Sequence, residues 1–481
     1  MARCAPPRGM LPAVAAAWAE LLVLCRLSLP RMAQLWFLVM SDRITLGFVG
    51  HSDATEAQID AAAFGKVYSN VTGLSTGIGL CLGISTFASQ NHGRGASEEN
   101  GVVFRQGCRG CAIAFVLGLV FAGLSPPLLR AAAQPEELLP LVQKFCLIQV
   151  LGLPGAFLKE VLSNTLIAQC VVVPCMCVDV VTCVLNTAVA YWLIAGGLGY
   201  LGSAWAFVFA NTLSCSLLLA YVIHRGLQDM VWRVPVEVSR PGRVNFRAYM
   251  AASLPSAFSL WSEWWAAEAL SLLAGMLPHG EACVGAQGIL VNTLLVFEMT
   301  FVGVQTAATT RIGNLVGMRD AGRIPVSIVV GVLFAATLSC AISCVLQAYG
   351  ASIIRLWAPN QPDILSEAEG ANLGLVLSLP PYAIMMCLLG VLRGAGLQSR
   401  GAAIVFVSFY VLGLPAGALL ALRGGLGLMG VWWGNIVGQT LSASGMGAMC
   451  LFVRWHRVVA AAQCDGASAP LRDGPPDGPA P

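Results

Sequence analysis

Charge is what this sequence has least of. Its 27 Lys and Arg and 24 Asp and Glu make up 11 % of 481 residues, against about 25 % in soluble globular proteins. With 57 % of the chain apolar and a mean hydropathy of +0.75, a water-soluble fold is excluded. A net charge of only +3 offers no basic field for nucleic acid. The five histidines, His51, His92, His224, His279 and His456, are scattered at the ends of apolar runs, and no paired-aspartate motif occurs. A membrane enzyme of the prenyl- or acyltransferase kind would gather such groups on one membrane face, so neither enzymatic chemistry nor a resident cofactor or metal is expected. The seventeen cysteines are odd in number, and most lie within apolar runs. Cys108 and Cys111 form a lone CxxC with no second pair. They read as small buried apolar residues, not as a redox or zinc framework.

What the chain has instead is long uncharged segments. No charged side chain occurs from Val180 to Ile223, Pro325 to Ile354, Gly401 to Leu422 or Gly424 to Val453, and a membrane-spanning helix needs about 20 apolar residues. This spacing predicts an all-α polytopic membrane protein with twelve helices, near 28–50, 61–88, 105–127, 138–162, 166–195, 201–224, 247–276, 282–312, 324–348, 370–393, 401–422 and 428–453. The ends on the side of the N-terminus hold 19 Lys and Arg, Arg393 among them, and the opposite ends hold five. Both termini are therefore expected to be cytoplasmic. Residues 1–27 read as an amphipathic cytoplasmic lead-in, 28–224 as an N-lobe, 225–246 as an Arg-rich cytoplasmic linker, 247–455 as a C-lobe, and 456–481 as a disordered cytoplasmic tail.

The two lobes are copies of one another. Ser28-Leu29-Pro30 returns as Ser253-Leu254-Pro255, and Thr86…Ser89-Gln90…Gly93 returns in type as Thr310…Gly313-Asn314…Gly317. Leu151…Leu153-Pro154 returns as Leu377…Leu379-Pro380, and Gly196-Gly197-Leu198-Gly199…Gly202 as Gly424-Gly425-Leu426-Gly427…Gly430. The offsets, 225, 224, 226 and 228 residues, keep one register over most of the chain. Six helices per copy give both copies the same orientation, related by an axis along the membrane normal, as in the halves of a transporter. Pro30, Pro154, Pro255 and Pro380 occupy repeat-equivalent places, where a proline frees a carbonyl and permits a helix to bend or merely starts it. Glycines four apart, at 73/77, 79/83, 390/394 and 413/417, are expected to seat neighbouring helices.

Several stretches resemble the multidrug and toxin extrusion (MATE) transporters, in their eukaryotic branch of plants and animals. They are Phe48-Val49-Gly50-His51, Asn70-Val71-Thr72-Gly73, Glu263-Trp264-Trp265-Ala266-Ala267-Glu268, Thr310-Arg311-Ile312-Gly313-Asn314, Val391-Leu392-Arg393-Gly394 and Gly430-Val431-Trp432-Trp433-Gly434. The resemblance covers about 28–455. It implies two six-helix lobes set in a V around a central cavity, and export of organic solutes by alternating access in exchange for H⁺ or Na⁺. By this resemblance Glu263 is the proton-coupling and solute-binding acid of helix 7, and Glu268 of the same motif is expected to share the coupling. Acids common in the family at helices 8 and 10 are replaced here by Asn292 and Tyr382.

Acids embedded in lipid are functional candidates by default, and away from the span ends they are Asp42, Asp179, Glu263, Glu268 and Glu298. Asp42 is expected to pair structurally, with Arg43 adjacent. The cavity is expected to be bordered by Asn70, Glu263, Glu268, Asn292 and Tyr382. Proton coupling needs a single titratable group and so survives a thinned acid network better than Na⁺ coupling, which wants several converging oxygens. The expectation is thus a monomeric antiporter of small organic solutes, cations or polyphenol-like compounds, in a plasma or organellar membrane. A Na⁺-coupled exporter, and a lipid-linked-sugar flippase of the same wider superfamily, stand as alternatives.

Overall fold

The computed structural model describes residues 12–131, 134–233, 244–357 and 361–464, and among these every regular element is a helix. The N-terminal half comprises α1 (Pro12–Gly50), α2 (Glu56–Gly93), α3 (Ser97–Gly123), α4, made of Leu138–Val150 and Leu153–Ala168 with a 44° bend between them, α5 (Val173–Leu198) and α6 (Tyr200–His224). The C-terminal half comprises α7 (Phe246–Ala274), α8 (Gly280–Gly317), α9 (Ile324–Trp357), α10 (Pro362–Gly394), α11 (Gln398–Arg423) and α12 (Gly427–Phe452). A short α13 (Trp455–Cys464) leaves α12 at 82°. Of the twelve spans, α7 is the one that falls short of the hydropathy of the rest. It carries Arg247, Glu263, Glu268 and five serines, so the least apolar span is the one with the candidate acids.

Each half builds its own core. One cluster of buried side chains gathers mainly residues of α1 to α6, joined by Tyr249 and Ala252 of α7, and the other mainly residues of α7 to α13, joined by Met32 of α1. The halves meet through α1 against α8 and through α2 against α7 and α8. α1 and α8 run antiparallel: Glu20 pairs with Arg311, Trp36 Nε1 donates to Thr300 at 3.2 Å, and Arg43 Nη1 donates to Asn292 Oδ1 at 2.9 Å.

The duplication is written into the backbone. Left-handed residues occur in pairs one repeat apart: Gly95 and Arg319, Cys170 and Gly396, Gly197 and Gly425, Gly199 and Gly427. The last two pairs explain the repeated glycine run, since the tight turn between α5 and α6, and that between α11 and α12, need positive φ, which glycine adopts at little cost. The glycines spaced by four do seat neighbours: Gly77 faces Phe157, Gly79 and Gly83 face Ala257 and Ser253, and Gly413 and Gly417 face Gly434.

Two expected boundaries need correction: the disordered tail does not begin at 456, since α13 runs to Cys464, and the lead-in does not end at 27. The segment before residue 28 is not a separate lead-in, because α1 is continuous from Pro12 and buries Glu20, Leu24 and Leu27. Residues 1–11 of that lead-in lie outside the described residues, as do 234–243 of the linker and 465–481 of the tail. Of the four repeat prolines only Pro154 sits at a break, that of α4. Pro30, Pro255 and Pro380 lie inside α1, α7 and α10.

Candidate functional site

In the C-lobe, α10 is drawn against α8 because Gly390 and Gly394 lie over the carbonyls of Gln305 and Thr309, and Thr309 Oγ1 donates to Gly390 O at 3.1 Å. This close seam brings Tyr382 of α10 to the acids. Its ring stands edge-on to Phe301 at 5.9 Å, and its hydroxyl donates to Glu298 of α8. Glu263 of α7 approaches the same hydroxyl and lies near Glu298. Glu263 is buried, with its Oε1 lacking a hydrogen-bond partner. Neither carboxylate has an ion-pair partner among the described residues. Two carboxyl groups of separate helices thus share one phenol, a group that can donate to either.

The N-lobe holds a different polar centre. Asp179 of α5, 3 % exposed, is paired with Lys159 of α4 at 3.0 Å and accepts from Gln34 Nε2 at 2.7 Å and Ser214 Oγ at 3.2 Å. Arg31 lies 3.6 Å from Glu160 and donates to Gln34 at 2.8 Å. These residues line or support a cavity between α1, α2, α4, α5 and α6.

The expected site residues divide accordingly. Glu263 and Tyr382 come together. Glu268 is exposed, with no ion-pair partner among the described residues. Asn70 opens a π turn of α2, Asn70–Leu74, that packs on α3 and α4, and Asn292 is engaged by Arg43. Asp42 pairs with Lys66 at 2.9 Å, not with Arg43: adjacent helical residues diverge, whereas Lys66 on α2 faces Asp42 across the cavity. Arg393, assigned from sequence to a cytoplasmic end, is buried and reaches Gln305 Oε1 at 3.4 Å. Glu160 went unnoticed among the embedded acids because the helix boundary at 162 put it at a span end; α4 in fact continues to Ala168.

The MatE family model matches the chain twice, over residues 30–192 and 255–419, in register with the internal repeat. The chain belongs to the MatE family. This MatE protein is therefore a multi-pass membrane transporter and not an enzyme. It is 28 % identical over 438 residues to multidrug and toxin extrusion protein 2 of Mus musculus, covering 90 % of this chain and 74 % of that one. Against multidrug and toxin extrusion protein 1 of Homo sapiens it is 28 % identical over 426 residues, 86 % of this chain and 72 % of that one. Its fold matches the crystal structure of the eukaryotic MATE transporter AtDTX14 with a TM-score of 0.86 at 21 % identity, covering 94 % of this chain and 100 % of the other. The twelve-helix, two-lobe architecture is that of this MatE fold.

Proposed function

We propose that this MatE protein is a monomeric multidrug antiporter that expels small organic solutes by alternating access in exchange for protons, with Glu263 as the proton carrier. The observation that carries this reading is the Glu263–Tyr382–Glu298 cluster, a buried carboxyl and a half-buried one on either side of a phenol hydroxyl, with no cation within ion-pair distance among the described residues. A carboxyl in such surroundings takes up and releases a proton as its hydration changes between the two access states. The names of its relatives, multidrug and toxin extrusion proteins, support efflux of xenobiotic solutes. Both termini are cytoplasmic in this reading, and the host membrane is the plasma membrane or an organelle such as the vacuole.

Sodium coupling is the second reading, favoured by one observation: Glu298 turns toward Tyr382, so oxygens of two acids and a phenol converge. Proteoliposomes loaded with fluorescent cations, flavonoids or citrate, with pH and Na⁺ gradients imposed separately, decide between them. Efflux that follows the pH gradient alone is the expected result, and efflux that follows Na⁺ and ignores pH would replace proton coupling by sodium coupling.

A further inference from the structure

Two buried groups of opposite charge in the C-lobe lack a full partner. Glu263 of α7 keeps an Oε1 with no hydrogen bond, and Arg393 of α10, 5 % exposed, keeps an Nε with none. Neither forms an ion pair among the described residues, and what meets the guanidinium is the neutral Gln305 Oε1, at 3.4 Å from Nη1.

Helix register sets Arg393 between the acid cluster and the end of α10. On α8, Gln305 follows Glu298 by seven residues, which is two turns on one face and about 10 Å along the axis. On α10, Tyr382, Met386 and Arg393 share a face by the same rule, and Gln305 Nε2 reaches Met386 Sδ at 3.2 Å. A long side chain on a helix leans toward the helix N-terminus, so the guanidinium leans toward Tyr382, and its charge is felt at Glu263. Other charges nearby are few. α8 brings Glu298, α10 Tyr382, α11 Tyr410, whose hydroxyl donates to Ser262 O at 3.0 Å, and Arg400 at its start, while Glu20 of α1 is taken by Arg311. α2 carries no charged side chain between Lys66 and His92, α9 none before Arg355, and α12 none.

The backbone of Arg393 lies in the contact between the lobes: Thr86 Oγ1 of α2 donates to Arg393 O at 2.9 Å, and Gln90 Nε2 to Gly394 O at 3.1 Å. One residue thus has its carbonyl in the inter-lobe seam and its charge toward the proton site. A buried cation needs an opposite charge or water. An ionised Glu263 supplies the first and lets the seam stay shut. A protonated Glu263 supplies neither, and parting of α2 from α10 then brings water to the guanidinium from the end that the reading above places in the cytoplasm.

We propose that Arg393 is the positioning residue that links the proton on Glu263 to the cytoplasmic seam, holding it shut when Glu263 is ionised and releasing it when Glu263 is protonated. This rests on the exporter reading and adds its gate. The direction suits an antiporter, because the proton-loaded carrier is the one that must open inward.

Pulsed electron paramagnetic resonance on the purified full-length protein in lipid nanodiscs, with no gradient applied, tests the link. Spin-labelled noncanonical amino acids at the exposed positions 98 and 318, one in each lobe, leave the native cysteines untouched. In the otherwise wild-type protein, acidification should raise the ratio of parted to closed seam at least about tenfold, a part of what an uncompensated buried charge costs. Arg393→Met should stay closed at every pH, Arg393→Lys should restore the response, and Glu263→Gln should favour the parted seam at every pH. Arg393→Gln is a second neutral variant should Arg393→Met fail to fold. A pH response that persists in the neutral Arg393 variants but vanishes in Glu263→Gln would overturn the role of Arg393 and leave the proton reading standing. A response that persists in Glu263→Gln would overturn both, and a wild-type seam that ignores pH would overturn the role of Arg393.

Discussion

Gly93 and Gly317, one repeat apart in sequence, lock the same junction from opposite sides. A Cβ on Gly93 would overlap the carbonyl of Asn314, and a Cβ on Gly317 would overlap the carbonyl of Gln90. Gln90 and Asn314 are themselves repeat equivalents, and so are their side-chain partners in type of place: Gln90 Nε2 donates to Gly394 O at 3.1 Å, and Asn314 Nδ2 to Cys170 Sγ at 3.3 Å. The C-terminal ends of α2 and α8 therefore cross on the pseudo-twofold axis with no side chain between Gly93 and Gly317.

Gly93→Val should hold these ends apart. Transport is expected to fall at least about tenfold while the protein stays monodisperse, because a tightly packed contact has no room to absorb new atoms. Spin labels at the exposed positions 98 and 318 check the cause, with their separation widening in the variant. An unchanged separation together with unchanged transport would mean that this junction does not need the close approach.

The repeat was legible in the sequence for the same reason that it matters here. Glycines at positive-φ turns and at axial contacts cannot be exchanged for other residues without strain, so Gly93/Gly317 and Gly197/Gly425 preserve their register. The acids were less legible. The pairing of Asp42 with Lys66, and of Asp179 with Lys159, is made between helices, and a helical wheel holds no information about the facing helix. Glu298 stood in the sequence only as one more embedded acid; the close α8–α10 seam puts it beside Tyr382, near Glu263. Arg393 misled because its place near a helix end suggested solvent, whereas α2 and α8 cover it.

Lys159→Met leaves Asp179 buried among Gln34, Ser214 and apolar neighbours with its cation removed. Breaking a buried pair from one side costs about 3–5 kcal/mol. Thermal unfolding in detergent should show a clear loss of stability, and Lys159→Met/Asp179→Asn should recover part of it, since no unpaired charge is then left. A single variant as stable as the wild type would show that water reaches Asp179.

The linker prediction is topological. A cysteine placed at Asp229, in the short helix Gln228–Val231 after α6, should react with a membrane-impermeant maleimide only after permeabilisation, as should one in the C-terminal tail. Labelling of residue 229 from outside, with the tail protected, would break the six-plus-six arrangement.

Tyr382→Phe deletes one hydroxyl and keeps the ring against Phe301. Glu298 then loses its donor, and because it is only half-buried the cost stays near the low end of the about 1–3 kcal/mol of an unpaired acceptor. The pH profile of transport should move, because the two carboxyl groups no longer share a bridging group. Unaltered transport across the pH range would remove Tyr382 from the site.

Glu263→Gln addresses coupling itself. The amide matches the carboxyl in shape and its Nε2–H can donate to the Tyr382 hydroxyl oxygen, whose own proton goes to Glu298, so folding and membrane insertion should be retained, while the capacity to carry a proton is gone. Efflux driven by an imposed pH gradient should therefore fall to background, whereas exchange of labelled for unlabelled solute without a gradient should persist if alternating access survives. Glu298→Gln separates the two acids: if Glu263 alone carries the proton, this second variant keeps gradient-driven efflux with an altered pH profile. Full pH-driven transport by Glu263→Gln would move the carrier to Glu298. Loss of exchange along with coupling would make Glu263 a residue of the conformational cycle or of solute binding, because a proton carrier is dispensable for exchange without a gradient.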